Sequence, residues 1–138
     1  MPNYWVFLAD PETYGWSHLE AAGSAVWDGI KNSRAQAHLK QTKVDDLALI
    51  YHTAPDKAIM GIARVTAAAY PDPNVEERVV VDVVPVQPLA RSLPLAELKA
   101  DDVLSGMSFV KMPRVAVWPV SAEQWKKVMK VSGTKERK

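Results

Sequence analysis

The sequence predicts an α+β domain: a curved, mainly antiparallel sheet or barrel with helices around its periphery. Three observations lead there. Short apolar, β-prone segments are bounded by Pro, Gly, Asn and Asp turns. Segments with helix-start signals fall between them irregularly, without the strand–helix alternation of a doubly wound parallel sheet. And 138 residues with no repeat or low-complexity linker suit a single hydrophobic core.

Tyr4–Leu8 is an aromatic and apolar run that reads as the opening strand, stopped by Asp10-Pro11. Ser17-His18-Leu19-Glu20 has capping-box spacing and Gly23 supplies a stop, predicting a helix over 17–22. Asn32-Ser33 caps a second helix running to about Thr42, with Ala35, Leu39 and His38 inward. Leu47–His52 and Ala58–Ala68 read as neighbouring antiparallel strands joined through Ala54-Pro55-Asp56-Lys57. Tyr70-Pro71-Asp72-Pro73-Asn74 reads as a turn, Val79–Val86 as a strand, and Leu93-Pro94-Leu95 as the start of a short helix to about Lys99. Val115–Val120 is the last strand. Ser121-Ala122-Glu123-Gln124 repeats the capping box ahead of an amphipathic helix that closes near Gly133. The domain is therefore expected over 1–133, with 134–138 as a disordered basic tail.

Composition narrows the chemistry. Without cysteine there is neither a disulfide framework nor a thiolate metal site, and His18, His38 and His52 lack paired-ligand spacing. Gly-rich phosphate loops and a Gly-x-Ser-x-Gly elbow are missing, so no cofactor and no catalytic residue is expected. The doublets Asp45-Asp46, Glu76-Glu77 and Asp101-Asp102 read as solvated acids or caps. No segment approaches the roughly 18 apolar residues of a membrane span, and the N-terminus carries neither a basic region nor a long apolar run. A soluble, cytoplasmic protein with no membrane partner is the expectation. The net charge of +1 is unevenly spread: residues 1–30 hold four acids and no Lys or Arg, whereas Lys31, Arg34, Lys40 and Lys43 follow without an acid between them. From Lys111 onward eight basic residues face only Glu123 and Glu136. Lys31, Arg34, Lys111 and Arg114 are thus candidate phosphate contacts, or simply solvated side chains.

Five tryptophans exceed what an ordinary core of this size needs. Trp5, Trp118 and Trp125 fall inside elements, where burial is the default. Trp16 and Trp27 stand near Gly15 and Gly29 at element ends, where a ring can stay partly open to a ligand, and the Trp27 ring is expected to be removable without opening the core. The Asn32 amide can read a base edge or cap the following helix. On the strand ending Tyr51-His52-Thr53, alternation puts Tyr51 and His52 on opposite faces, so Tyr51 or Thr53 is an alternative to His52 depending on which face a pocket uses.

Taken in order, these segments resemble the EVE domain, a PUA-like domain related to the YTH readers. The matching series is Tyr4-Trp5-Val6-Phe7, Asp10-Pro11 with Tyr14 and Trp16, Val26-Trp27-Asp28-Gly29-Ile30-Lys31-Asn32 with Arg34-Ala35, Tyr51-His52-Thr53, Lys57–Ala63, Tyr70-Pro71-Asp72, and Pro119-Val120-Ser121 with Trp125. The resemblance implies a PUA-like curved sheet or barrel and an aromatic pocket for a modified nucleic-acid base. It puts Trp27 first as an aromatic wall, Asn32 as a polar contact, Trp16 with the Asp10-Pro11 loop at the rim, and Tyr51-His52-Thr53 at the strand end completing the site. Lys111-Met112-Pro113-Arg114 departs from a more polar Gln-Ser pattern at that place. The function expected is a non-enzymatic module binding DNA or RNA that carries a modified or flipped base. The alternatives are an enzyme acting on nucleic acid or a nucleotide, and a small-molecule sensor.

Overall fold

A computed structural model describes residues 3–136 and shows an open six-stranded sheet with five α-helices packed around it. The strands are β1 (Tyr4–Ala9), β2 (Ala25–Trp27), β3 (Leu47–His52), β4 (Ala58–Pro71), β5 (Val79–Pro94) and β6 (Val117–Val120). Their order across the sheet is β2-β5-β4-β3-β1-β6. Only β1 and β3 run parallel; every other neighbouring pair is antiparallel. The helices are α1 (Trp16–Ala22), α2 (Ser33–Leu39), α3 (Leu95–Ala100), α4 (Ser108–Lys111) and α5 (Ala122–Ser132), with a 3-10 turn at Leu104–Gly106.

Two interior strands, β1 and β3, explain their own composition. β1 lies between β3 and β6, and β3 between β1 and β4, so both edges of each are paired; residues Trp5 to Ala9 and Ala48 to His52 are all buried, so side chains on both faces of each strand are covered as well. Continuous apolar runs, rather than alternation, are what a doubly covered strand requires. Phe7, Leu19, Leu39, Leu49, Ile50, Ile59, Ile62, Leu93 and Trp125 form the innermost layer of one continuous core.

Several elements differ from the sequence expectation. β4 continues through Pro71, so the turn there is shorter, and β5 runs sixteen residues to Pro94 rather than ending at Val86. Register shifts between Ile59 and Gly61, Ile62 and Ala63, Val65 and Ala67, and Ala67 and Tyr70 bend this long hairpin. Pro85 and Pro88 sit at two of these shifts, opposite Ala63 and Gly61, where the ladder is already interrupted and a missing donor costs little. α1 begins one residue early, at Trp16, with Gly15 rather than Ser17 as its cap; the Gly15 N–H donates to His18 Nδ1 at 2.8 Å. α2 ends at Leu39 instead of Thr42. β2, α4 and the 3-10 turn had no expectation. The final helix follows the capping-box reading: Ser121 Oγ accepts from the Gln124 N–H, Gln124 Oε1 accepts from the Ser121 N–H, and Gly133 closes the helix at φ 70°.

Asp46 corrects the reading of the acidic doublets. It is 2% exposed, and its carboxylate accepts three hydrogen bonds of 2.9 Å, from the backbone N–H groups of Asn3 and Lys43 and from the Trp5 indole. A buried carboxylate needs that many partners to offset its lost hydration. At the other end of the chain, positions 137 and 138 of the expected tail lie outside the described residues. Residues 134–136 are packed against the domain: Thr134 Oγ1 accepts from the Ala90 N–H, the Lys135 carbonyl accepts from Gln87 Nε2, and Glu136 accepts from the Trp125 indole. Among the described residues no helix is long and apolar enough to cross a membrane.

Candidate base-binding cleft

β2 pairs along β5 with Ala25 opposite Val83, Val26 opposite Asp82 and Trp27 opposite Val81. Alternation turns Val26 outward, 48% exposed, and sends Trp27 inward against Phe7, with ring centroids 5.9 Å apart. Tyr14 meets the Trp27 ring edge-on at 6.2 Å and itself stacks on His18. Beyond Trp27 the chain reverses at Gly29, whose φ of +77° is a left-handed conformation that glycine adopts without strain. The loop is then clamped: buried Gln36 of α2 donates from Nε2 to the Ile30 carbonyl at 2.9 Å, and its Oε1 accepts from the Val79 N–H at 2.9 Å. One amide side chain thereby ties the loop after β2, helix α2 and the start of β5 together.

These segments enclose a cleft of about 810 Å³. One side is Ala25–Asn32, Trp27 among them; another is the end of β1 with Asp10, Thr13 and Tyr14; Arg114 and Ala116 make the third side. Asp10 is held by its own loop, its carboxylate accepting from the Glu12 N–H and the Thr13 hydroxyl. Asn32 lines the cleft while capping α2, its Oδ1 accepting from the N–H groups of Arg34 and Ala35 at 2.9 and 3.0 Å. Since backbone N–H groups can only donate, the carbonyl oxygen must face the helix, which leaves the two Nδ2 hydrogens for the other side. The capping and reading roles are therefore compatible in one side chain.

The remaining expected site residues are distributed as follows. Lys31 lines the cleft, and Arg114 stands at its third side. Pro11 is half-buried in the loop beneath Asp10. Arg34 lies outside the cleft, its guanidinium 4.7 Å over the Trp118 ring, and Lys111 is exposed at the end of α4. Beside Arg34, His38 packs on Trp118 at 5.0 Å; burial and then the Arg34 charge hold its pKa below the ordinary histidine value.

Trp16 is not a rim residue. It is 5% exposed and lies over Gly61, where a Cβ would come within 2.6 Å of the indole. Trp27 is also more enclosed than expected, at 7%, so the idea that its ring could go without opening the core does not hold. Tyr51, His52 and Thr53 lie outside the cleft lining. Tyr51 packs on Phe109 at 4.7 Å. His52 Nε2 accepts the Trp16 N–H at 2.9 Å, which places its ring proton on Nδ1, directed to Asp56 at 2.9 Å. Thr53 supports the cleft from behind through its N–H to the Ala9 carbonyl, 2.9 Å. Sequence reasoning missed Tyr14 and Asp28 as cleft residues and Gln36 as its clamp. The position of Tyr14 between Pro11 and Gly15, in a loop able to face a ligand, was the available signal.

A family model for the EVE domain matches residues 3–131. Thymocyte nuclear protein 1 of Mus musculus is 25% identical over 170 aligned residues, spanning 97% of this chain and 75% of the relative. An NMR structure from Rhodopseudomonas palustris is 35% identical with a TM-score of 0.91, covering 98% of this chain and 96% of that one. A crystal structure of human THYN1 protein in complex with DNA containing 5-methylcytosine has a TM-score of 0.87 at 24% identity, covering 96% of this chain and 99% of that one.

Proposed function

Because this chain belongs to the EVE domain family, we propose that it is a non-enzymatic module that takes a modified, everted nucleic-acid base into the cleft walled by Trp27. The observation that carries the reading is that one cleft brings together Trp27, Asn32 and the cations Lys31 and Arg114. Its size suits a small planar ligand. The complex of human THYN1, which shares the fold, with DNA containing 5-methylcytosine supports a modified base as the ligand class. In this division of labour Trp27 stacks, Asn32 donates to the base edge, and Lys31 and Arg114 attract phosphates. The cytoplasmic setting belongs to the same reading, with fractionation as its test.

The test is a binding screen of modified and unmodified oligonucleotides and their free nucleosides, with turnover assayed on the same panel. Tighter binding of a modified oligonucleotide without product formation is the expected result. A nucleoside that binds as well as its oligonucleotide identifies a small-molecule site instead, and product formation identifies an enzyme.

Asn32→Asp separates the two roles of that side chain. The carboxylate still accepts from Arg34 and Ala35, and its charge suits a helix start, so the melting temperature should hold within about 2 °C. The Nδ2 donors are gone and a negative charge stands beside base and phosphate, so affinity should fall about tenfold or more. Full binding by this variant would leave Asn32 as a cap alone.

Replacing Lys31 and Arg114 together by alanine should weaken modified and unmodified strands alike and flatten the dependence of affinity on salt, by up to about two phosphate contacts in a log–log plot. A loss confined to the modified strand would show instead that one of these cations touches the base.

A further inference from the structure

Among the described residues the exposed large hydrophobic side chains are Val26, Val44 and Met112. Two of the three lie beside the cleft: Val26 lines it, and Met112 is two residues from Arg114 at its third side. Met112 is 43% exposed on a loop that is held from inside. Its N–H donates to the Ser108 carbonyl at 3.0 Å, and its own carbonyl accepts from the Val115 N–H and from the indole of buried Trp118, both at 3.3 Å. The thioether is steadied by Arg34, whose Nη1 lies 3.9 Å from the sulfur. The same Arg34 follows Asn32, the cleft residue that caps α2, so the loop and the cleft wall are joined through one helix start.

A single exposed apolar side chain is ordinary on a protein surface; what sets Met112 apart is that its loop is braced from inside and that cations surround it. The chemistry around it selects what can cover it. Lys111 and Arg114, both exposed, flank it in the chain, and Arg34 touches it, so any surface that covers Met112 must also satisfy three cations. A nucleic-acid duplex offers that combination: phosphates for the cations and, between adjacent base pairs, an apolar slot into which methionine fits. Removing one base from a duplex opens such a slot at the place where the base has left.

We propose that Met112 is a wedge that enters the stack of a duplex and occupies the space vacated when the base turns into the Trp27 cleft. Lys111 and Arg114 bracket it on the phosphates. This deepens the function proposed above and rests on it: the substrate becomes double-stranded, with the loop stabilising the open duplex and the cleft holding the base. Single-stranded nucleic acid, already unstacked, gains little from the wedge.

The experiment measures affinity of the full chain for one oligonucleotide containing 5-methylcytosine, presented as a single strand, as a matched duplex, and as a duplex with a mismatch opposite the modified base. Met112→Ala, at an exposed position, should leave the melting temperature unchanged, weaken the matched duplex about tenfold, weaken the mismatched duplex less, and change the single strand less than about twofold. Met112→Leu should restore most of the duplex affinity. Equal loss on duplex and single strand, or no loss on the duplex, overturns the wedge. Single-strand binding that depends on Trp27, with no binding of the matched duplex by the unaltered protein, overturns the wedge and leaves the cleft reading standing. Binding of neither form overturns both.

Discussion

Asp46→Ala should lower stability by about 3–5 kcal/mol, because three donors that lose water on folding then lose their acceptor as well. The carboxylate takes the backbone N–H groups of Asn3 and Lys43 and the Trp5 indole, so its removal uncouples the entrance to β1 from the turn before β3. For a domain of this size the melting temperature should fall by roughly 10–20 °C. Trp5→Phe removes one donor and leaves the carboxylate two others, so it should cost much less than Asp46→Ala. Asp46 stands at the opposite end of β1 from the cleft, and binding per folded molecule should be unchanged. A drop in melting temperature under about 3 °C would show that water replaces the carboxylate and that the cluster is not a structural requirement.

Trp27→Ala should be costly twice over. The ring is nearly enclosed between Phe7 and Tyr14 and faces the cleft with what remains, so its loss opens a cavity in the core worth about 3–5 kcal/mol of stability. It also removes the stacking wall, worth about 1–3 kcal/mol per base in binding, or roughly 5- to 150-fold in affinity. The two effects separate experimentally when affinity is measured well below the melting point of the variant and expressed per folded molecule. Trp27→Phe, which fills more of the space with a smaller ring, should recover more stability than affinity. If both substitutions lower the melting temperature while binding per folded molecule is untouched, Trp27 is a core residue that happens to border the cleft.

What the sequence displayed and what it concealed follow a physical line. Signals that act within one turn of chain were legible: the Ser121 and Gln124 exchange, the Asn32 cap, and the apolar runs of β1 and β3 all depend on near neighbours. Features set by distant partners were not. Trp16 is turned into the core by a gap over Gly61, and His52 belongs to α1 only because its Nε2 meets the Trp16 N–H. A glycine inside an apolar strand is a sign of close approach, but nothing local says which residue approaches. β2 is three residues long, too short to show any period, and exists because β5 offers it an edge. Within β5, Pro85 and Pro88 resemble terminators until the register shifts opposite them are seen. Trp27, Lys31, Asn32, Asp10 and Arg114 line one cleft, whereas the Tyr51–Thr53 segment supports the wall from behind or faces elsewhere.

The position of β1 has a consequence for how the chain is made. Among the strands of this domain it is the first to be synthesised, yet one of its two sheet neighbours, β6, is the last of them: Tyr4 pairs with Val120 and Phe7 with Val117. Until residue 120 has left the ribosome, β1 can be covered on the β3 side only, and its other edge is an apolar strand with unsatisfied backbone groups. Such a nascent chain should engage holdase chaperones until β6 has emerged. Polypeptides arrested before β6 should remain sensitive to protease and prone to self-association, and release of β6 should be the step at which resistance appears.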